Sequence, residues 1–196
     1  MTEVKRQIPN ILTLLRIPMA ILCAYFAFSL NSLSLSFSLG LFMLASFTDY
    51  LDGYLARKWN IVSHFGKIFD PIADKFLILS ILFVFAYNDI IPLFLVIIIA
   101  FREIALTVIR LLLLSKKVVL ASRYSGKVKT FSQVTFLVIV YLLLIFKTSL
   151  SYYISPSVVY YLILALTFYI VGITVYSGYE FITHNRKAIS KIDLYI

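Results

Sequence analysis

The chain has 196 residues, 62% hydrophobic and 14% charged, with a mean hydropathy of +0.98 and a formal net charge of +9. A water-soluble domain carries about 45–50% apolar and about 25% charged residues, so a soluble surface is excluded, and only 6 Gly and 5 Pro exclude disordered and fibrous chains. What remains is one all-α integral membrane domain over residues 1–196, long enough for six transmembrane helices of about 20 residues each.

A basic lead, residues 1–9 with Lys5 and Arg6, precedes span one at about Asn10 to Leu30. That run is too long for a signal-peptide h-region and no small-x-small cleavage site follows, so it reads as a retained helix. Cys23 is the sole cysteine; it forms no internal disulfide and belongs to packing. The alternation Ser32-Leu33-Ser34-Leu35-Ser36 reads as a short interfacial loop. Span two then runs from about Ser36 into Ala56–Arg57, span three from Pro71 to Tyr87, and span four from Ile90 to Leu114. Span five covers about Val128 to Phe146 and span six about Ser157 to Phe181, followed by a basic tail over 182–196. Pro92 and Pro156 sit at first turns, where the missing N–H costs little, and Pro9 and Pro71 mark edges of apolar runs.

The positive excess sorts by connection. Lys5 and Arg6 occupy the lead, Arg57, Lys58 and Lys67 the second connection, and Lys116, Lys117, Arg123 and Lys127 the fourth. Arg186, Lys187 and Lys191 lie in the tail, while the opposite connections hold little beyond Asp89 and Lys147. Cations collect on cytoplasmic loops. Both termini are therefore expected in the cytoplasm, the span count is even, and the charge speaks for a multi-pass cell (inner) membrane protein and against nucleic acid.

Four of only nine acidic residues crowd into one stretch: Asp49, Asp52, Asp70 and Asp74. Carboxylates in or beside membrane helices cost about 2.5–3.5 kcal/mol each, so a functional reason is the default. Spacings of three and four put each pair on one helix face, and the short connection brings the pairs together. Four carboxylates at one point need cations between them. All-oxygen ligands suit Mg²⁺, Mn²⁺ or Ca²⁺, and two bridged ions suit phosphoryl transfer. Gly53 and Ala56 leave room for a bulky ligand, and Arg57 offers a donor fork for phosphate. His64 and His184 read as solvated residues of the loop and the tail.

The string Asp49-x-x-Asp52-Gly53-x-x-Ala56-Arg57, eight residues, then Gly66-x-x-x-Asp70-x-x-x-Asp74 resembles the signature of the CDP-alcohol phosphatidyltransferases without a departure. The resemblance implies a six-helix membrane enzyme, usually a homodimer, with a di-metal site that opens to the cytoplasm. Such enzymes move a phosphatidyl group from CDP-diacylglycerol to an alcohol and release CMP. It also implies that Asp49, Asp52, Asp70 and Asp74 hold two divalent ions, Mg²⁺ or Mn²⁺, that Asp74 is the general base, and that Gly53, Ala56, Arg57 and Gly66 contact the CDP portion.

In the second half, Arg102 and Glu103 interrupt an apolar span and Arg110 follows two turns on. An intramembrane Arg marks a site by default, although an Arg102–Glu103 structural contact or snorkelling near the span end is the bland reading. Arg123, Lys127 and Lys129 flank Gly126, and these cations suit a second anionic group beside the metals. The lead Ile8-Pro9-Asn10-Ile11-Leu12-Thr13-x-x-Arg16, Arg102-Glu103 with Arg110, and Gly126-Lys127-x-Lys129-Thr130 with Gln133 resemble the family's branch that uses glycerol 3-phosphate as acceptor and yields phosphatidylglycerophosphate. Asn10, Thr13 and Arg16 are then expected near the nucleotide, and Arg102, Arg110, Lys127 and Lys129 near the acceptor phosphate. Three rivals stay open: a cardiolipin synthase of the same family with phosphatidylglycerol as acceptor, an intramembrane prenyltransferase, and a cation channel or transporter.

Overall fold

A computed structural model describes residues 2–58, 64–115 and 124–186, with side chains over 14–49, 51, 69, 72–115 and 126–186. Among the described residues the chain is all-helical: α1 (Thr2–Phe28), α2 (Ser32–Lys58), α3 (His64–Tyr87), α4 (Leu93–Ser115), α5 (Tyr124–Ile145), a single turn α6 (Lys147–Leu150) and α7 (Pro156–His184). The six long helices correspond to the six expected spans, most of them extended at one end. The basic lead is continuous with span one, since α1 runs on through Pro9 and Pro18. Pro71 lies inside α3, and His64, expected in a loop, is that helix's first residue. Lys116, Lys117 and Arg123 of the fourth connection, and Lys187 and Lys191 of the tail, lie outside the described residues.

The serine–leucine alternation is helix, not loop, and the reason is local. The Asn31 side-chain oxygen accepts the Ser34 backbone N–H at 2.7 Å, capping the first turn of α2. Leu35 is then fully buried while Leu33 is 71% exposed. Two residues of equal parity face opposite environments, as a 3.6-residue period allows and a strand does not. At the other hairpin Asp89 takes φ +55°, the left-handed conformation that ends α3, and Ile90 donates its N–H to the Phe85 carbonyl at 2.9 Å.

Helix contacts close into a ring. α1 lies along α2 and α3, α2 along α5, α5 along α7, α7 along α4, and α4 along α3. At one end of this ring the interior is apolar. Phe42, Phe85, Tyr141, Leu35, Ile81 and Leu82 are buried there, with the Phe85 and Tyr141 rings edge to face at 5.1 Å. The Tyr141 hydroxyl lies 2.6 Å from Ser38 Oγ, which donates to the Cys23 carbonyl at 2.7 Å, so the polar atoms buried here are paired. Cys23 is a buried packing residue, as read from the sequence.

The outer face is the reverse of a soluble protein's. Phe101, Phe131, Leu22, Ile97, Tyr169 and Tyr176 are among many large apolar side chains left exposed. Among the described residues, three stretches are long and apolar enough to cross a bilayer by length and composition: Ser32–Asp49, Gly126–Ile145 and Pro156–His184. α4 carries Arg102, Glu103 and Arg110 along its apolar length. Of these, Glu103 is buried, Arg102 is half-buried and Arg110 is exposed.

Candidate active site

Alternating helix direction brings the first half of α1, the end of α2, the start of α3, the second half of α4, the start of α5 and the end of α7 to one end of the ring. Arg16 of α1 is buried completely there. A buried guanidinium requires carboxylate partners, and two helices supply them. Arg16 Nη2 lies 3.0 Å from Asp49 Oδ1 on α2, and Nη1 donates to Asp74 Oδ1 on α3 at 2.5 Å. The planar fork holds one carboxylate on each tip. Asp49 and Asp74 retain 41% and 37% side-chain exposure, so each also has an open face.

Of the four carboxylates expected to meet, Asp49 and Asp74 are brought together across Arg16. Asp52 lies on α2 and Asp70 on α3, but their side chains fall outside the described residues, as do those of Asn10, Thr13, Gly53, Ala56, Arg57 and Gly66. Among the described residues no group of three or more His, Cys, Asp or Glu converges. The described pair does fit a hard divalent cation: two carboxylates from neighbouring helices, oxygen donors only, each partly open. The pairing of Arg16 with two acids escaped sequence reasoning, which weighed the acids only against one another.

Across the ring lies a second cluster, built on Glu103. Its side chain is 4% exposed, and Oε1 accepts Arg102 Nη1 at 2.9 Å and a short bond from Lys129 Nζ. Lys75 Nζ stands 3.8 Å from Oε2. One carboxylate from α4 thus gathers cations from α3, α4 and α5. The Arg102–Glu103 contact offered as the bland alternative is present. It coexists with a site, because Arg102, Arg110, Lys127 and Lys129 all line one cavity of ≈ 440 Å³ between α4, α5 and α7. Lys75, Glu103, Thr107 and Ser177 complete its polar wall. Five cations therefore share one cavity with one carboxylate, which suits a doubly charged anion small enough to enter.

Lys75 was missed in the sequence, although it directly follows Asp74. Its position reveals a link between the two clusters. A smaller cavity of ≈ 50 Å³ is lined by Asp74 and Lys75 together with Glu103, Lys129 and Gln133. The expected base and the cationic cavity are thus near neighbours, joined through Lys75, Glu103 and Lys129, which line both cavities.

Comparison with known proteins identifies the family. A sequence model of the CDP-alcohol phosphatidyltransferases matches residues 6–176. The chain is 34% identical over 208 residues to the CDP-diacylglycerol–glycerol-3-phosphate 3-phosphatidyltransferase of Mycoplasma genitalium, covering 97% of this chain and 87% of that protein. Proteins of the same description in Bacillus subtilis and Rickettsia felis are 38% and 42% identical over 149 and 133 residues. These matches cover 76% and 67% of this chain, and 73% and 72% of the relatives.

Proposed function

The chain belongs to the CDP-alcohol phosphatidyltransferase family, and from that premise we propose that it transfers the phosphatidyl group of CDP-diacylglycerol to glycerol 3-phosphate, forming phosphatidylglycerophosphate and CMP. The observation that carries the acceptor is the cationic cavity beside Asp74, with five cations against one carboxylate. A phosphate dianion seated among Arg102, Arg110, Lys127 and Lys129 leaves the primary hydroxyl at the acceptor's other end free to reach toward Asp74. A neutral alcohol has no use for that charge.

The proposed chemistry is a direct displacement. The acceptor hydroxyl oxygen forms a bond to the phosphorus bearing diacylglycerol, the bond from that phosphorus to the CMP oxygen breaks, and Asp74 takes the hydroxyl proton. Arg16 holds Asp74 and Asp49 in fixed relation, so the base does not swing between rotamers. Gly53, Ala56, Arg57 and Gly66, with Asn10 and Thr13, contact the CDP portion, and Arg16 borders it through the two carboxylates. Asp49, Asp52, Asp70 and Asp74 would hold two divalent ions, Mg²⁺ or Mn²⁺, which when bound would supply neutralising charge for the pyrophosphate and the departing CMP. In this reading all six long helices cross the cell (inner) membrane, both termini face the cytoplasm, the site opens on that side and two copies form a homodimer.

The test is CMP release by purified protein with CDP-diacylglycerol and Mg²⁺ or Mn²⁺. Glycerol 3-phosphate should support turnover, chelation by EDTA should abolish it, and phosphatidylglycerol should not replace the acceptor. No CMP from glycerol 3-phosphate, or faster release with phosphatidylglycerol, overturns the proposal.

A further inference from the structure

The acceptor cavity owes its shape to a helix that carries none of the family's acidic signature. Along the end of α7, three residues lie beneath the two arginines of α4. Ser177 Oγ accepts Arg102 Nη2 at 3.0 Å. Gly178 is the point of closest approach: a Cβ there would stand 3.1 Å from Arg102 Nε and 3.3 Å from its Cγ. One turn later, the Phe181 ring lies under the Arg110 guanidinium, 5.7 Å from its centroid, a cation–π distance. Ser177 and Phe181 line the cavity as well.

We infer that the Ser177–Gly178–Phe181 face of α7 is a positioning seat that aims Arg102 and Arg110 at the acceptor's phosphate, and so helps to set acceptor specificity. The inference rests on the reading of that cavity as the glycerol 3-phosphate site. These residues follow the last position matched by the family's sequence model, so the seat is a feature beyond the shared signature.

Arg102 has little freedom to yield. Its Nη1 is tied to Glu103 and its Nη2 to Ser177, at opposite sides of one planar group. A methyl group at 178 meets the stem and not only the flexible tip. Relief requires an off-rotamer stem or the loss of one anchor, each a modest cost. Because Arg102 lines the cationic cavity and not the Arg16–Asp49–Asp74 cluster, that cost falls on acceptor binding.

The experiment compares Gly178→Ala, Ser177→Ala, Phe181→Leu and Arg102→Ala with the parent protein, reading KM for each substrate and kcat from CMP release. Gly178→Ala should raise the KM for glycerol 3-phosphate roughly three- to tenfold, a range that follows from the off-rotamer cost. Its KM for CDP-diacylglycerol should stay within a factor of about two of the parent's, the scatter expected for an uncoupled site. Ser177→Ala and Phe181→Leu, which add no bulk, should shift the same constant in the same direction. In the Arg102→Ala background, Gly178→Ala should have no further effect, since the group it displaces is gone. An unchanged acceptor KM in all three seat variants, an equal rise for both substrates, or additive effects with Arg102→Ala overturns the seat. If the parent protein itself makes no CMP from glycerol 3-phosphate, the acceptor reading has failed. If Arg102→Ala raises the acceptor KM and no seat variant does, the seat alone has failed.

Discussion

Asp74→Asn should lower kcat by about 10²- to 10⁴-fold, the range that a positioned general base supplies, with little change in the KM for CDP-diacylglycerol. Asparagine keeps the size of the side chain and one oxygen that can accept from Arg16 Nη1, the bond now made at 2.5 Å. Arg16 also keeps its contact with Asp49, 3.0 Å away, so the buried guanidinium is not stranded. What the amide cannot do is take the acceptor's proton. The competing reading makes Asp74 only a structural partner of Arg16. Weakening one charge-assisted hydrogen bond then costs stability, about 1.5–3 kcal/mol, and leaves kcat near its original value. Initial rates of CMP release, measured beside the thermal unfolding midpoint in detergent, separate the two. A lowered midpoint with kcat within tenfold of the parent removes Asp74 as the base.

The difference between those two roles also marks what the sequence made legible. Asp49 with Asp52, and Asp70 with Asp74, are local patterns, and a spacing of three or four residues on a helix is visible without any tertiary knowledge. Arg16 is separated from Asp74 by 58 positions. No periodicity connects them, and only the family resemblance drew attention to Arg16 at all. Its role as the bridge between two carboxylates depends on α1 lying against both α2 and α3, which is a fact of packing. Lys75 was overlooked for a related reason. Next to a conspicuous acid, a lysine reads as a local counterion, yet in space it faces Glu103 of another helix. Gly178 could not have been found, because the close approach of Arg102 has no trace in the residues around it. Over Ser32–Ser36 the period itself misled. Five alternating residues fit a strand-like or loop-like pattern as well as a helix, and the Asn31 cap that decides the matter is a single hydrogen bond.

The acidic and cationic clusters are also physically dependent on each other. Asp74 and Lys75 are adjacent on α3, yet they belong to opposite clusters: one accepts from Arg16, the other faces Glu103. A shift or rotation of α3 therefore disturbs both at once. α3 fixes the distance between Asp74 and the cationic cavity, and its packing against α1 and α4 holds that distance. In the proposed mechanism, transfer of a proton to Asp74 depends steeply on such placement, and the buried residues Leu77, Ile81 and Phe85 farther along α3 pack that helix into the core.

Glu103→Ala should be the most destabilising single change in the cationic cluster, by about 3–5 kcal/mol, the cost of removing one partner from a buried charge group. Lys129 and Arg102 are 8% and 15% exposed and both bond to Glu103 Oε1, while Lys75 faces Oε2. Without the carboxylate these three cations repel one another in a poorly hydrated space, with Arg110 and Lys127 on the same cavity wall. Glu103→Gln should cost less, because the amide oxygen still accepts one bond. Two effects on acceptor binding then oppose each other: the cavity becomes more positive, which favours a phosphate, and its cations lose the group that orients them. The Coulomb effect should prevail for a bare dianion, which can take over the missing carboxylate's role among the same donors. Inorganic phosphate should accordingly raise the unfolding midpoint of Glu103→Gln more than that of the parent protein, by the ordinary linkage of binding to stability. For glycerol 3-phosphate turnover the lost orientation should prevail, and kcat/KM should fall. Equal stabilisation of parent and variant by phosphate would show that Glu103 does not occupy the place of the anion, and that the cations around it are ordered by the helices alone.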